Sequence, residues 1–189
     1  MRMTFLSCAV LAMTTASASA QTTYVGPWQP RPTIGIGFGA FGAITNNGTA
    51  SLIRSGTLEV PLADKARIRV ELGQSTLPIL PEGVKASSVT PTDTAHIERL
   101  SISIAGLKQP GAPVTGYIGA GVGFSRARFD DAPRSRVRAD LYIHGGAEVM
   151  LSDNLTLDAE LAGHGFRDDP WYHRKLITGE AVLRLKVGL

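Results

Sequence analysis

The side chains with the most chemical potential in this 189-residue chain are four histidines and a long series of charges. His96, His144, His164 and His173 could act as general bases or metal ligands, and Asp168-Asp169 shortly before His173 is a pair a divalent cation could use. A hydrolytic centre, however, needs a nucleophile, a base and an orienting acid in contact. No serine stands beside His144 or His164 in a recognisable motif, and an exposed acidic loop explains Asp168-Asp169 without a metal. The charges are more telling. Glu59, Arg69, Glu71, His144, Glu148, Asp158, Glu160, Arg184 and Lys186 lie in segments where polar residues or glycines alternate with aliphatic ones. Charges at every second position share one face of an extended strand, so this set reads as a lining, a network of paired charges on one surface.

The elements that must carry this lining are strands. From Arg67 to Gly73, Ile68, Val70 and Leu72 fall on one parity and Arg67, Arg69 and Glu71 on the other, a separation that a helix would scramble. From Thr33 to Ala43, Ile34, Ile36 and Phe38 alternate with Gly35, Gly37 and Gly39. The same period marks segments around Leu58–Leu62, Leu100–Ile104, Ile118–Phe124, Leu141–Leu151, Leu155–Leu161 and Leu183–Leu189, which makes eight strands in all. The expected fold class is all-β: an eight-stranded antiparallel up-and-down transmembrane barrel over residues 33–189.

Connections support that order. Short polar links at Ala63-Asp64-Lys65, Lys108 to Pro113 and Ser152-Asp153-Asn154 alternate with long ones at Ile44 to Ala50, Thr76 to Thr94, Ala127 to Ser135 and Gly165 to Lys175. Register follows from matching faces. A symmetric three-residue turn at 63–65 places Val60 opposite Ile68, Leu58 opposite Val70 and Glu59 opposite Arg69. Centring the next turn on Asp153 pairs Leu151 with Leu155 and Val149 with Leu157. In the last hairpin, Leu161 is expected opposite Leu183, Leu157 opposite Val187, Glu160 opposite Arg184 and Asp158 opposite Lys186.

Composition narrows the class further. Met1 to Ala20 has the layout of a cleaved signal peptide: Arg2, an apolar run holding Cys8, and small residues closing at Ala18-Ser19-Ala20. Residues 21–32, with Tyr24 and Trp28, read as a short periplasmic segment. The formal charge of +3 is spread along the chain, which gives no support to nucleic-acid binding. With a single cysteine there is no disulfide framework. No stretch offers the roughly 20 apolar residues of a spanning helix, so a membrane form must be a closed barrel that satisfies its own backbone groups. The sign of the alternation separates this from a soluble carrier of the lipocalin type, which Gly26-Pro27-Trp28 superficially suggests. A carrier turns its apolar face inward, whereas here the inner parity is charged.

Two stretches carry a family resemblance. Gly116-Tyr117-Ile118-Gly119-Ala120-Gly121-Val122-Gly123-Phe124 and the run from Gly145-Gly146-Ala147-Glu148 to Asp158-Ala159-Glu160 resemble the small OmpA/OmpX-type outer-membrane β-barrels, and the segment order agrees over the mature chain. The resemblance implies a Gram-negative outer-membrane location, a monomeric or weakly associated barrel, delivery by periplasmic chaperones and the outer-membrane assembly machinery, and contact with outer-membrane lipids and lipopolysaccharide. No cofactor is implied. Two departures stand out: Leu189 occupies the place of the usual terminal aromatic residue, and no peptidoglycan-binding domain is expected. The functional expectation is a structural or surface-interaction protein with a lumen plugged by paired charges. A narrow pore for ions or small solutes is the first alternative. Some barrels of this architecture modify lipid A through a histidine-containing site, which makes a lipid A-modifying enzyme the second.

Overall fold

The computed structural model describes residues 31–43, 50–79, 93–129, 135–166 and 176–189. The expected signal peptide, most of the 21–32 segment, Asp168-Asp169, His173 and the central parts of the four long connections lie outside the described residues. Eight antiparallel strands close into a barrel in sequence order: β1 (Thr33–Ala43), β2 (Ala50–Ala63), β3 (Ala66–Ile79), β4 (Asp93–Lys108), β5 (Val114–Phe129), β6 (Ser135–Ser152), β7 (Leu155–Phe166) and β8 (Leu176–Gly188). Several strands run past their expected ends into the long connections, because β3 continues to Ile79, β5 to Phe129 and β7 to Phe166.

Closure has a measurable stagger. Following directly opposed residues from Thr33 leads through Glu59, Arg69, Ser103, Gly121, Tyr142, His164 and Thr178, and returns to β1 at Ala43. The circuit advances from position 33 to position 43, a shear of 10 residues. With ordinary strand spacing and rise, that shear tilts the strands by roughly 40°.

The tight turns have local causes. Asp64 and Lys65 form a two-residue link with Ala63 opposite Ala66, one residue shorter than expected, and the ladder absorbs the difference between Pro61 and Ala63. Between β4 and β5, the Ala112 amide donates to the Gln109 carbonyl at 3.1 Å, and Gly111 at the third position has φ 85°. Pro110-Gly111 supplies the fixed φ and the left-handed residue that a type II turn needs. At the third turn the ladder shifts between Met150 and Ser152, so Ser152 opposes Leu155 and Leu151 has no partner, contrary to the expected Leu151–Leu155 pair. Val149 does oppose Leu157.

The expected register of the last hairpin is corrected by two residues. Leu161 opposes Ala181, Leu157 opposes Leu185 and Asp158 opposes Arg184, while Glu160 opposes Val182 and Lys186 opposes Thr156. A slip of two leaves every side chain on its expected face, so face matching alone could not detect it.

Large aliphatic and aromatic side chains cover the outside. Ile36, Leu52, Leu72, Ile118, Leu141, Ile143 and Leu183 are all exposed, and similar residues surround them on every strand. Inside, the buried residues are mostly polar, apart from a cluster of Phe41, Ile53, Ala95, Ile97 and Val182 toward the end opposite the tight turns.

Candidate functional site: the charged lumen

Inward glycines make room for long side chains from other strands. A Cβ at Gly37 would stand 2.7 Å from Arg184 Cγ and 2.8 Å from Ser55 Oγ. A Cβ at Gly119 would collide with the His144 ring, and one at Gly123 with the Asp140 carboxylate. The space above β1 and β5 is therefore filled by charges from β6 and β8, as close packing against strand glycines requires.

Near the tight-turn mouth, Glu59 is the hub. It accepts from Arg69 Nε at 2.6 Å and Lys186 Nζ at 3.0 Å, and Arg67 Nη1 lies 3.1 Å away. Arg67 Nη2 also reaches Glu148 at 2.6 Å, and Lys186 contacts Glu148 as well as Asp158, the latter at 3.0 Å. The Lys186 ammonium thus joins Glu59, Glu148 and Asp158, whose nearest ligand atoms lie within 4.8 Å of one another. Such a trio could hold a metal, but the tethered ammonium already supplies the positive charge.

In the middle of the lumen, Glu160 contacts Arg69, lies 2.8 Å from Arg184 Nη1 and meets His144 Nδ1 at 2.9 Å. The Tyr117 hydroxyl lies 2.7 Å from both Asp158 Oδ1 and Glu160 Oε2. The Arg67 guanidinium stands 4.7 Å from the Tyr117 ring centre, close enough for a cation–π contact. Arg184 Nη2 donates to both oxygens of Glu71 at 2.9 Å.

Above this layer, Arg99 Nη2 donates to both oxygens of Glu180, at 3.0 and 2.8 Å. His164 lies 3.5 Å from Glu180 and 3.6 Å from Asp140, and the Tyr142 ring stacks between the rings of His144 and His164 with centroids 5.2 Å apart on each side.

All nine residues expected in the lining point inward and join this one network. The two expected charge pairs of the last hairpin also occur: Glu160 with Arg184 and Asp158 with Lys186. They are diagonal contacts, not directly opposed ones. Arg67, Arg99, Asp140, Glu180, Tyr117 and Tyr142 belong to the network too, although the expected charge network omitted them. His164 and Glu180, expected near each other at the rim, are both buried inside the lumen, where they lie 3.5 Å apart. His96 instead faces outward from β4. Among the described residues, no serine or threonine contacts either inward histidine in the arrangement a hydrolytic triad requires.

The arrangement of an apolar wall around a charged interior is the reverse of a lipid carrier. Neisserial surface protein A superposes with a TM-score of 0.69, covering 84% of this chain and 97% of that one, at 14% identity. The fold is that of the small outer-membrane barrels. This outer-membrane barrel fold is shared with the N-terminal domain of Pseudomonas aeruginosa OprF, at TM-score 0.54 and 13% identity over 84% of this chain and 99% of that domain. The attachment invasion locus protein Ail of Yersinia pestis superposes at TM-score 0.53 and 12% identity, over 84% of this chain and 99% of Ail. No protein-family model matches the chain. No curated protein sequence matches it either.

Proposed function

We propose that the protein resides in the outer membrane as a sealed barrel whose working surfaces are its lipid-facing wall and its extracellular rim. The exposed aliphatic belt supports the membrane setting, since a soluble monomer rarely leaves a contiguous apolar patch larger than a few hundred Å². The observation that carries the sealed lumen is the spanning charge network. A cavity of about 130 Å³ at the tight-turn mouth ends against Glu59, Arg67 and Glu148. A void of about 10 Å³ lies at the other end, beside Phe41, Ile53, Arg99 and His164. Between them stand Arg69, Arg184 and Asp158, with no exposed surface. An ion crossing this region would have to displace paired groups whose separation leaves buried charges uncompensated.

The role that follows is structural or surface-contacting, in a monomer bathed by outer-membrane lipid and delivered by the assembly machinery and its chaperones. His144 and His164 are packing and pairing groups on this reading, because both are buried in the lumen away from any lipid substrate. Planar-bilayer recording tests it. The wild-type barrel is expected to show no stable conductance. A steady ion current that changes in Glu160→Ala or Arg184→Ala would replace the plug with the narrow-pore reading.

A further inference from the structure

Lipid-facing positions of a membrane barrel are apolar, and among the described residues that rule breaks on one side, toward the end opposite the tight turns. A single ladder row runs through Phe38, Arg54, Gln74, Glu98, Arg126 and Val137 across β1 to β6, all on the outward parity. The outward row beneath it, Ile36, Gly56, Leu72, Leu100, Phe124 and Ala139, carries no polar side chain. Toward the same end, the outward residues of β6, β7, β8 and β1 are Leu141, Gly165, Gly179 and Ala40. Among the described residues the polar facet is therefore one-sided.

Its charge is unbalanced. Arg54 Nε donates to the neutral Gln74 at 3.1 Å. Arg128, the next outward residue above Arg126, donates to Glu98 at 3.2 Å, with both side chains about half exposed. Arg126 is exposed. Among the described residues, three guanidinium groups thus share one carboxylate along the facet. Beside them lies an open groove of about 410 Å³ lined by Leu72, Leu100, Phe124 and Val137, with Gln74, Glu98 and Arg126 along its polar side. An occupant must be apolar along its length and anionic at its head.

On the outer-membrane reading above, tight turns face the periplasm, which puts the facet in the outer leaflet. Arg54 and Arg126 are three strand spacings apart, about 14 Å along the ladder, so the row offers guanidinium groups at separated points. We infer that this facet docks the phosphorylated glycolipid of the outer leaflet, with an acyl chain in the apolar groove and its two phosphates distributed along Arg54, Arg126 and Arg128. Guanidinium groups suit the task because their paired donors match phosphate oxygens. A lipid with one phosphate supplies half the charge to the same row of guanidinium groups.

The test uses the full barrel folded in zwitterionic detergent, with bound lipid counted by native mass spectrometry. Diphosphoryl lipid A, monophosphoryl lipid A and phosphatidylglycerol are the probes. Diphosphoryl lipid A is expected to be retained about tenfold better than either other lipid, and to lose about tenfold in the Arg54→Gln/Arg126→Gln variant. Lys65→Gln/Lys108→Gln at the opposite end should leave retention unchanged. Glu98→Gln, which removes the carboxylate that pairs with Arg128, should tighten binding and serves if the arginine variant does not fold. Equal retention of all three lipids, unchanged binding in the arginine variant, or weaker binding in Glu98→Gln overturns the site. A heat-modifiable barrel without lipid selectivity defeats the facet alone. A chain that gives no heat-modifiable species defeats the outer-membrane reading and the facet with it.

Discussion

Arg184 on β8 spans the lumen to Glu71 on β3, its Nη2 2.9 Å from each carboxylate oxygen, although β1 and β2 separate the two strands along the wall. The same guanidinium holds Glu160 on β7 through Nη1 at 2.8 Å. One side chain therefore links three strands across the interior. Removing one member of a buried pair leaves the other uncompensated, which typically costs 3–5 kcal/mol, roughly the range expected for Arg184→Met. The double variant Arg184→Met/Glu71→Gln should recover part of that loss. Urea unfolding in detergent measures both, and an additive double variant would show that the pair is not coupled.

Glycine substitutions should divide sharply by site. A Cβ at Gly121 would run into the Ile102 carbonyl and the Ser103 backbone, neither of which can swing aside, whereas a Cβ at Gly163 meets nothing within 4 Å. Gly121→Ala is expected to cost about 1–3 kcal/mol or to block folding, and Gly163→Ala to stay within about 0.5 kcal/mol of wild type. Heat-modifiable gel migration and urea midpoints read the difference. Equal midpoints would mean that β5 has more room than its neighbours suggest.

The register of the last hairpin can be checked by cross-linking. Directly opposed strand residues have Cα atoms about 4.5–5.5 Å apart, within disulfide range. Leu161→Cys with Ala181→Cys should oxidise readily, since these positions are opposed. Leu161→Cys with Leu183→Cys should oxidise poorly, because Leu183 opposes Ala159. The reverse preference, read by mass spectrometry, would restore the register two residues away.

Lys186 occupies the centre of a carboxylate trio, so its loss should create a demand for a cation. In Lys186→Ala, Glu59, Glu148 and Asp158 keep their proximity beside the cavity at the tight-turn mouth. Calcium at millimolar concentration is expected to raise the unfolding midpoint of this variant and leave wild type unmoved, as selective binding to the folded state requires. Equal responses would place the ion elsewhere.

Much of this architecture is legible residue by residue. Alternation is a local property, with each side chain set opposite its neighbours by the pleat, so strands such as Arg67–Gly73 declare their two faces without tertiary information. The nine lining residues followed from that parity. Where adjacent residues are both charged, parity of charge says nothing: Glu98 and Arg99 are neighbours, yet Glu98 faces out and Arg99 is buried beside Glu180. Asp140 was obscured for another reason: it lies near the start of β6, just ahead of Leu141, where the aliphatic partner set is thin. Tyr117 and Tyr142 look like apolar-face residues until the lumen gives their hydroxyls and rings charged neighbours.

The sequence by itself determined the number of strands, their order and which face each side chain takes, because those depend on a period of two and on short turns. Only the tertiary structure decided who meets whom. Barrel closure with a shear of 10 residues slides each strand past the next, and every lumen contact sums the offsets of the strands between its partners. The two-residue error in the β7–β8 register left every face correct while changing each directly opposed partner. The Arg184–Glu71 pair, between strands that do not touch along the wall, exists only once the sheet has closed on itself.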